Sequence, residues 1–402
     1  MQTSRTTATR QHRLPPDMTD SPGPKTVEVN SRIGDIPARG WNELVMKNYP
    51  FLNHGFLKAL ETHQCVGENV GWIPRHLTFS DGGRLLGAMP LYEKNNSWGE
   101  FVFDHAWADA YRRYGLRYYP KLVNAIPFTP ASGQRILVHD DPENMVSALL
   151  VAAVNTLVSD SGYSGMHCLF PSPSDHRKLD RQSAVSRNDC QFHWHNRNYG
   201  SFEEFLNTLK SKKRKNIRQE RRKVTETGLT IRHLDGASAR ERDWFEFTRL
   251  YHGLYDRKFG MPAFNQSFFM EVTEIMPHQV HLFLADHDRK CVAGALMYCD
   301  DDTLYGRHWG CTQYVDSLHF ELCYYRGIEL CIENGLQRFD PGAQGEHKIA
   351  RGFIPTRTRS LHWMAPSPFN DAIRQFVGRE QHHVNRYIDR VRARSPYHSR
   401  IR

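Results

Sequence analysis

The sequence predicts an α/β protein of two domains, and three observations support this prediction. Segments with the two-residue period of strands alternate along the chain with segments that have the period of helices. The length of 402 residues is enough for two or three domains of ordinary size. Hydrophobic residues make up 39% of the chain and charged residues 24%, which is typical of a globular protein with a substantial core.

A repeated strand–turn–strand pattern indicates that the two domains are related by duplication. Residues 81–92 and residues 288–298 each pair a charged turn with an apolar strand that carries Gly-Ala and ends in Tyr. The equivalent glycines, Gly87 and Gly294, lie 207 residues apart, which is much longer than the period of a solenoid repeat. Two homologous domains of ordinary size therefore explain the repeat better than a repeat array does.

The first domain is predicted to cover residues 29–185. The 28 residues before it contain Thr, Ser, Arg and Pro but no apolar segment, which predicts a disordered tail rather than a secretory signal. Within the domain, periodicity and turn residues predict a helix over 50–61, a hairpin over 75–92 and an apolar helix over 145–158.

The second domain is predicted to cover residues 186–365, and residues 366–402 are predicted to form a C-terminal amphipathic helix with a basic tail. Ser201 and Glu204 have the spacing of a capping box, which predicts the start of a helix whose apolar stripe continues to Val224. The other predicted elements are a helix over 244–259, a hairpin over 281–298, a strand over 304–310, a helix over 318–334 and a strand over 335–339.

A Gly-rich turn at residues 340–345 is the first candidate site, because an acid, an imidazole and an amine follow it directly. Backbone N–H groups freed by glycines, beside two cations, suit a phosphate or a developing oxyanion. The predicted catalytic residues are Glu346 or His347 as proton acceptor and Lys348 at the anion, with Gln344, Gly345 and Arg351 as substrate-binding residues. A solvated loop with ordinary charges is the alternative interpretation.

A strongly basic segment is the second candidate site. Nine basic residues and the single acid Glu220 lie between Lys210 and Lys223, a local charge of +8, whereas the whole chain carries +9. Such a row suits contacts to the phosphates of a nucleic acid. The candidate contacts are Lys212, Arg214, Arg218, Arg221 and Arg222, of which the four arginines are predicted to share one helical face. A solvated helix face is the alternative.

Three further groups of residues are candidates for substrate binding. Asp104, Trp107 and Asp109 interleave acids with an aromatic ring, an arrangement that can raise the pKa of a carboxylate, although capping of a helix is an equal alternative. His193 and His195 alternate with apolar residues, which predicts a strand with both imidazoles on one face and favours structural or substrate contacts over a metal. Arg307 shares a strand face with Trp309.

Several of these segments resemble a known family. Residues 212–218 resemble the entry to the second domain of Fem-type aminoacyl transferases, and His347-Lys348 followed by Gly352-Phe353 resembles their lysine–glycine–phenylalanine segment. Residues 103–111 and 118–122 closely fit the bacterial family of predicted Fem-like N-acyltransferases, which belongs to the GNAT superfamily and which the chain resembles from about Pro50 to Trp363.

The resemblance implies tandem GNAT-like domains, each with a mixed, mostly antiparallel sheet flanked by helices. It also implies transfer of an acyl or aminoacyl group to an amine, with groups that bind the acceptor in the first domain. A peptidoglycan precursor, a small amine and a peptide all stay open as acceptors.

The identity of the acyl donor is the next question that the sequence addresses. Residues 311–317, after the strand at 304–310, contain no glycine and so lack the pyrophosphate loop of acyl-CoA-dependent GNAT enzymes. This favours aminoacyl-tRNA as donor over acyl-CoA or a carrier protein. The donor would be a cosubstrate, and no separate cofactor is expected. A non-catalytic RNA-binding protein on a transferase scaffold is the alternative from another class.

The predicted location is the cytoplasm. The eight cysteines include no CxxC pair, which indicates neither a zinc site nor a disulfide framework. The sequence also has no run of about 18 apolar residues, so no transmembrane segment is predicted.

Overall fold

The computed structural model describes residues 24–180, 184–257, 260–343, 345–365 and 370–398. These residues form two compact units. Unit 1 comprises the described residues of 24–46, 51–187 and 359–378, and unit 2 comprises those of 47–50, 188–358 and 379–398. The predicted boundary between residues 185 and 186 lies close to the end of the central segment of unit 1. The described residues of 359–378, which the sequence assigns to the second domain and the C-terminal helix, are part of unit 1.

Unit 1 contains two sheets with helices between their strands. Its elements are β1 (Lys25–Asn30), α1 (Ala38–Glu43), α2 (His54–Thr62), β2 (Trp72–Pro74), β3 (His76–Asp81), β4 (Arg84–Met89), β5 (Leu91–Lys94), α3 (His105–Arg113), β6 (Lys121–Asn124), β7 (Leu137–Val138), α4 (Met145–Ser161), β8 (Gly165–Leu169) and α5 (Pro173–Asp180). One sheet is antiparallel with the strand order β1-β3-β4-β7, and the other contains β2, β5, β6 and β8 in that order, with β6 and β8 parallel.

Unit 2 is built on one mixed sheet. Its elements are β9 (Val185–His195), α6 (Phe202–Asn207), α7 (Ser211–Glu226), β10 (Thr230–Asp235), α8 (Glu241–Asp256), α9 (Gln266–Ile275), β11 (Val280–His287), β12 (Lys290–Cys299), β13 (Thr303–Cys311), α10 (Leu318–Phe320), α11 (Arg326–Glu333), β14 (Arg338–Asp340), β15 (Ile354–Met364) and α12 (Asn370–Ala393). Of these, β9, β15 and α12 each have one part in unit 1. The strand order is β10-β11-β12-β13-β14-β9-β15, and β13 and β14 are parallel.

Each unit has its own apolar core. In unit 1, Leu150 and Val154 of α4 pack with Phe79 and Met89 of the first sheet. In unit 2, Phe205, Leu209 and other apolar residues of the predicted stripe pack with the sheet and with α11. The mixed, mostly antiparallel sheets flanked by helices match the predicted architecture.

The two hairpins that the repeat predicted are both present. They are β3–β4 and β11–β12, and each carries an extra residue in its second strand, Leu86 and Val292, within two positions of the shared glycine. A side chain at Gly87 would collide with Val146 of α4, and one at Gly294 would be tight against Phe247 of α8. Both glycines therefore allow a helix to pack closely on its sheet.

Local boundaries differ from the predictions at several places. The predicted disordered tail ends inside β1, because residues 25–28 pair with β3; the rest of that tail, up to residue 23, lies outside the described residues. The single helix predicted from Ser201 is two helices, separated at residues 208–210. The helix predicted over 318–334 contains a π-helical turn, Glu321–Tyr325. Short 3-10 helices occur at Ile33–Asp35, Met46–Asn48, Pro50–Leu52 and Glu346–Arg351.

Candidate functional site

The parallel pair β13–β14 positions the first part of the candidate site in unit 2. The pairing covers only three residues in each strand and ends at Tyr305 and Asp340. Just beyond it, β13 has a bulge against β12, because His308 pairs with Leu296 and Gly306 pairs with Met297. Arg307 is the extra residue of this bulge. Bulges of this kind redirect a side chain and are common beside active sites.

Arg307 and Asp340 form a buried ion pair at this point. A guanidinium nitrogen of Arg307 lies 3.0 Å from Oδ2 of Asp340, and both side chains are almost fully buried. Burial alone would raise the pKa of Asp340, but the charge of Arg307 outweighs it and lowers that pKa. The sequence had predicted Arg307 as a substrate contact, whereas its charge is already neutralised inside the protein.

The two predicted histidines of β9 lie in different environments. His193 is buried, with its Nε2 3.2 Å from Oε1 of Gln191 and 3.8 Å from Oδ1 of Asp340. Burial lowers the pKa of His193 to about 4, so its ring is neutral near pH 7. Its Nδ1 has no hydrogen-bond partner among the described residues. His195 is partly exposed, and burial also lowers its pKa.

The Gly-rich turn is held together from within by Lys348. This lysine lies on the 3-10 helix Glu346–Arg351, and its buried Nζ donates to the carbonyl oxygens of Gly342 (2.7 Å) and Pro341 (3.4 Å). The N–H of Gly342 in turn donates to Asp340. The amine thus supports the turn, whereas the sequence predicted that it contacts an anion. Gly345 has a φ of 116°, which favours glycine, and Gln344 lies outside the described residues.

Two of the predicted catalytic residues, His347 and Glu346, reach solvent, and each is hydrogen-bonded to a tyrosine hydroxyl. His347 is exposed, and its Nε2 lies 2.8 Å from the hydroxyl of Tyr324, which the π-helical turn supplies. Burial lowers the pKa of His347, and the charges of Arg351 and Lys348 lower it further. A neutral imidazole can accept a proton. Glu346 is also exposed and accepts a 2.7 Å hydrogen bond from Tyr387 of α12.

Arg351 connects the turn to the basic helix. Its guanidinium donates to both carboxylate oxygens of Glu220 on α7, at 2.7 and 3.2 Å, and to the carbonyl of His347 at 2.7 Å. The same group lies 3.3 Å from the ring centre of Phe320, and Tyr325 donates a further hydrogen bond to Glu220. Arg351 is therefore a buried structural link, although the sequence predicted it as a phosphate or oxyanion contact.

Helix α7 turns a different basic face to solvent from the one predicted. Arg221 points inward and pairs with Glu321 (3.0 Å) and Glu329 (2.6 Å), so that its side chain is only 23% exposed. Arg214 is half-buried. The exposed cations are Lys212, Lys215, Arg218, Arg222 and Lys223, of which Arg218 pairs with Glu203 and Lys223 with Asp316.

Three of these exposed cations, Lys215, Arg218 and Arg222, form the face of α7 that an anion could contact. These residues follow the i, i+3, i+7 spacing of one helical face. Lys215 and Arg222 have no ion pair among the described residues. Of the predicted four-arginine row, the structure keeps Arg218 and Arg222 at the surface and removes Arg221.

The three candidates of unit 1 do not form one site. Asp104 is buried and binds Lys121, Tyr118 (2.5 Å) and Ser97 (2.6 Å). It occupies the N-cap position of α3, but its side chain makes no capping bond, so the capping alternative was wrong. Burial opposes its ionisation, but Lys121 outweighs burial and lowers its pKa. Trp107 is also buried, with its ring 4.9 Å from that of His362.

Asp109 lies apart from this cluster. Its half-exposed carboxylate pairs with Arg112 of the same helix at 2.7 Å. Asp104 and Asp109, which the sequence groups as candidates for substrate binding, therefore lie in different environments, because residues five positions apart point to different sides of α3.

Several residues that bind the predicted site residues were not predicted from the sequence. In unit 2 they are Glu220, Glu321, Tyr324 and Asp340. Glu220 carried a signal, because it is the single acid in the basic segment and a lone acid there indicates a buried partner. Glu321, Tyr324 and Tyr325 owe their positions to the π-helical turn, which no sequence pattern marked.

Comparison with known proteins assigns the chain to a family. The model of the FemAB-like family, described as peptidoglycan biosynthesis/recognition, matches residues 32–399. The chain therefore belongs to this family, and the family resemblance seen in the sequence is confirmed. Membership places the chain among the acyltransferase enzymes, as predicted. Curated proteins yield no match to the chain.

Solved structures share the fold at low sequence identity. The C-terminal domain of a predicted lysylphosphatidylglycerol synthetase from Agrobacterium fabrum is 10% identical, with a TM-score of 0.52, 81% of this chain covered and 91% of that chain. L-PGS from Bacillus licheniformis is 12% identical, with a TM-score of 0.50 and coverages of 81% and 95%. FemX is 10% identical, with a TM-score of 0.48 and coverages of 80% and 93%. The predicted fold class, α/β with tandem GNAT-like domains, is confirmed.

Two negative observations apply to the part of the chain that the structure describes. No group of three or more His, Cys, Asp or Glu residues there is arranged to hold a metal ion. Among the same residues, no helix combines the length and the apolar character needed to cross a bilayer.

Proposed function

We propose that this acyltransferase moves an aminoacyl group from aminoacyl-tRNA to an amine acceptor, with the donor bound on unit 2. The observation that carries the proposal is the double hydrogen bond between Arg351 and Glu220. It fixes the basic helix α7 to the segment that holds His347 and the Gly-rich turn. An anionic donor lying along α7 would thus be held beside a group that can accept a proton.

The charge pattern on α7 supports a polyanionic donor. Lys215, Arg218 and Arg222 point outward, while Arg221 and Arg351 are neutralised inside by carboxylates. Outward charges of one sign suit phosphate contacts that do not depend on sequence. A donor with a single pyrophosphate, such as an acyl-CoA, does not need such a row.

In the proposed reaction the amine nitrogen attacks the ester carbonyl of the donor. The new C–N bond forms, the ester C–O bond breaks, and the 3′ hydroxyl of the tRNA leaves. His347, kept neutral by its lowered pKa, takes the proton that the amine loses and delivers it to the departing 3′ oxygen, while Glu346 is the alternative acceptor. Lys348 and Arg351 act by positioning the turn. Burial raises the pKa of the neighbouring Cys323, which argues against a thiolate intermediate.

The donor assignment is tested on the exposed face of α7. The triple variant Lys215→Gln, Arg218→Gln, Arg222→Gln should weaken binding of bulk tRNA and reduce the slope of log affinity against log salt by about one unit per lost phosphate contact. The matched control removes three exposed cations elsewhere in unit 2, Arg242, Arg289 and Lys290, and should leave the slope unchanged. Equal salt slopes for wild type and the α7 variant would contradict a tRNA donor.

Catalysis is separated from binding by His347→Gln. Transfer of a labelled aminoacyl group from tRNA to a panel of lysine, ethanolamine and alanyl peptides should fall by about 10²–10⁴, while the tRNA affinity stays at the wild-type value. Tight tRNA binding without turnover by the wild type, with acyl-CoA donors equally inactive, would favour the non-catalytic RNA-binding protein. Turnover with acyl-CoA alone would instead favour the acyl-CoA-dependent enzyme.

A further inference from the structure

Exposed apolar and aromatic side chains are concentrated in one short part of unit 1. Among the described residues, twelve large hydrophobic side chains are exposed, and five of them lie between residues 98 and 116. These five, called the aromatic surface below, are Trp98, Phe101, Phe103, Tyr114 and Leu116, with exposed fractions between 37% for Trp98 and 72% for Tyr114. The other seven are spread over the rest of the described chain. Scattered exposed residues need no explanation, but a concentration does.

The aromatic surface rests on a buried ionic network. Lys121, with no exposed surface, binds Glu100 at 2.8 Å and also pairs with Asp104. Asp104 accepts hydrogen bonds from Ser97 and Tyr118. The same segment thus places its polar residues 97, 100 and 104 inward and its aromatic residues 98, 101 and 103 outward.

Further bonds fix the two halves of the surface to each other. Tyr119, next to Tyr118, lies 2.7 Å from the hydroxyl of Ser97, so residues 97–104 are tied to residues 118–119. The carbonyl of Trp98 accepts from Trp72 (2.9 Å) and Lys94 (3.0 Å). These contacts hold the segment without covering its aromatic side chains.

The backbone of Phe101 is strained, although its side chain points to solvent. Its φ is 58°, a left-handed conformation that is unusual for a bulky residue, and it stays exposed. Such strain persists only where surrounding contacts determine the conformation, and it is frequent at functional segments.

The charges around the aromatic surface are mainly positive. Arg112, Arg113 and Arg117 are exposed, and only Arg112 has a carboxylate partner, Asp109, among the described residues. The carboxylates of Glu100 and Asp104 are buried against Lys121, so they contribute little negative charge to the outside.

We propose that the aromatic surface docks on an anionic lipid bilayer. Trp98 and Tyr114 each have an apolar body and one polar group, and together with apolar side chains and flanking arginines they fit the interface between headgroups and acyl chains. Anionic headgroups attract the three arginines, and the side chains of Phe103 and Leu116 enter the acyl boundary. The protein would then lie on the membrane surface. This inference does not depend on the proposed reaction or its donor.

The test is co-sedimentation of the full chain with vesicles of 70% phosphatidylcholine and 30% phosphatidylglycerol, compared with pure phosphatidylcholine. Wild type should bind the anionic vesicles more tightly. Arg113→Gln with Arg117→Gln should reduce partitioning by about 25-fold, since each arginine near the surface contributes about fivefold. Phe103→Ser with Leu116→Ser should reduce it by about tenfold or more. Phe103→Trp should retain binding.

Matched controls come from unit 2. Arg289→Gln with Lys290→Gln removes the same charge, and Phe245→Ser with Tyr314→Ser removes two exposed aromatic side chains. Both control pairs, and the α7 triple variant, should bind as wild type does. Urea unfolding of each variant shows whether loss of binding reflects loss of the fold.

Three results would overturn the proposal. The first is absence of wild-type binding to either kind of vesicle, and the second is an equal loss of binding in the aromatic-surface variants and their controls. The third is a wild-type dimer in sedimentation equilibrium that Phe103→Ser with Leu116→Ser dissociates, without vesicle binding; the surface would then belong to a second copy of the chain.

Discussion

Both units bury lysine side chains, and Lys121 of unit 1 and Lys348 of unit 2 are held by different kinds of partner. Lys121 of unit 1 contacts the carboxylates of Glu100 and Asp104. Burial alone would lower its pKa, but these two charges outweigh burial and raise it. Lys348 of unit 2 contacts the carbonyl oxygens of Gly342 and Pro341, and burial lowers its pKa to about 8.

The difference shows that the partner, and not burial, decides how a buried amine behaves. The two carboxylates that contact Lys121 outweigh the effect of burial, whereas for Lys348 the charge of Asp340 offsets burial only in part and the charge of Arg307 adds to it. Lys94 of unit 1 supports this interpretation, because it donates to the carbonyl of Trp98 and burial lowers its pKa to about 7. Lys121 is therefore a permanently charged structural residue, while Lys348 titrates near neutral pH.

The sharpest test of the comparison is the same substitution at both positions. Lys121→Met leaves Glu100 and Asp104 buried without a counter-charge, so the free energy of unfolding should fall by about 3–5 kcal/mol. Lys348→Met removes hydrogen bonds to carbonyls and also removes a charge whose burial Asp340 offsets only in part, so its loss should be about 1 kcal/mol or less at pH 7. Urea unfolding of the three proteins measures both values. Equal losses would show that burial alone determines the effect.

A pH series provides the second test, with a smaller effect. The unfolded chain keeps the proton of Lys348 up to about pH 10.5, where an ordinary lysine titrates, whereas the folded protein loses it above about pH 8 because burial lowers the pKa. Between these values the unfolded state binds more protons, so this group makes stability rise with pH. Below pH 8 its contribution is a constant cost.

The measurement is the difference in the free energy of unfolding between wild type and Lys348→Met from pH 7 to 10. It should increase in favour of wild type above pH 8 and stay level below it. Using the difference removes the other groups that titrate in this range. A level difference across the whole series would mean that the amine keeps its ordinary pKa.

The fold was predictable where periodicity extends over many residues. The hairpins β3–β4 and β11–β12 and the helices α4 and α12 appear at the predicted places because apolar spacing alone determines them. The break between α6 and α7 was not predictable from that spacing, since the apolar stripe continues across it. The π-helical turn Glu321–Tyr325 likewise depends on tertiary contacts and leaves no local pattern.

The sequence predicted which residues lie near the Gly-rich turn of the candidate site, but it did not predict which of their side chains face solvent. The segment from Glu346 to Arg351 does gather around His347 and the Gly-rich turn. Which cations face solvent could not be read from α7, because its exposed face depends on the carboxylates of Glu321 and Glu329, at least 100 residues away. For the same reason, Arg351 and Lys348 could not be recognised as internal supports.

The smallest expected effect concerns Asp109, which the sequence grouped with the buried Asp104. The structure places Asp109 at the surface, in an i, i+3 pair with Arg112 whose side chains are 50% and 79% exposed. Exposed pairs of this kind contribute about 0.2–1 kcal/mol because water screens the charges and two side chains must be ordered. Asp109→Asn should therefore change the free energy of unfolding by about 0.5 kcal/mol or less, whereas Asp104→Asn should destabilise far more, since it leaves Lys121 short of a buried counter-charge. A double-mutant cycle of Asp109→Ala and Arg112→Ala, followed by urea unfolding, measures the pair directly. A coupling as large as that of the buried network would place Asp109 back in the cluster that the sequence predicted.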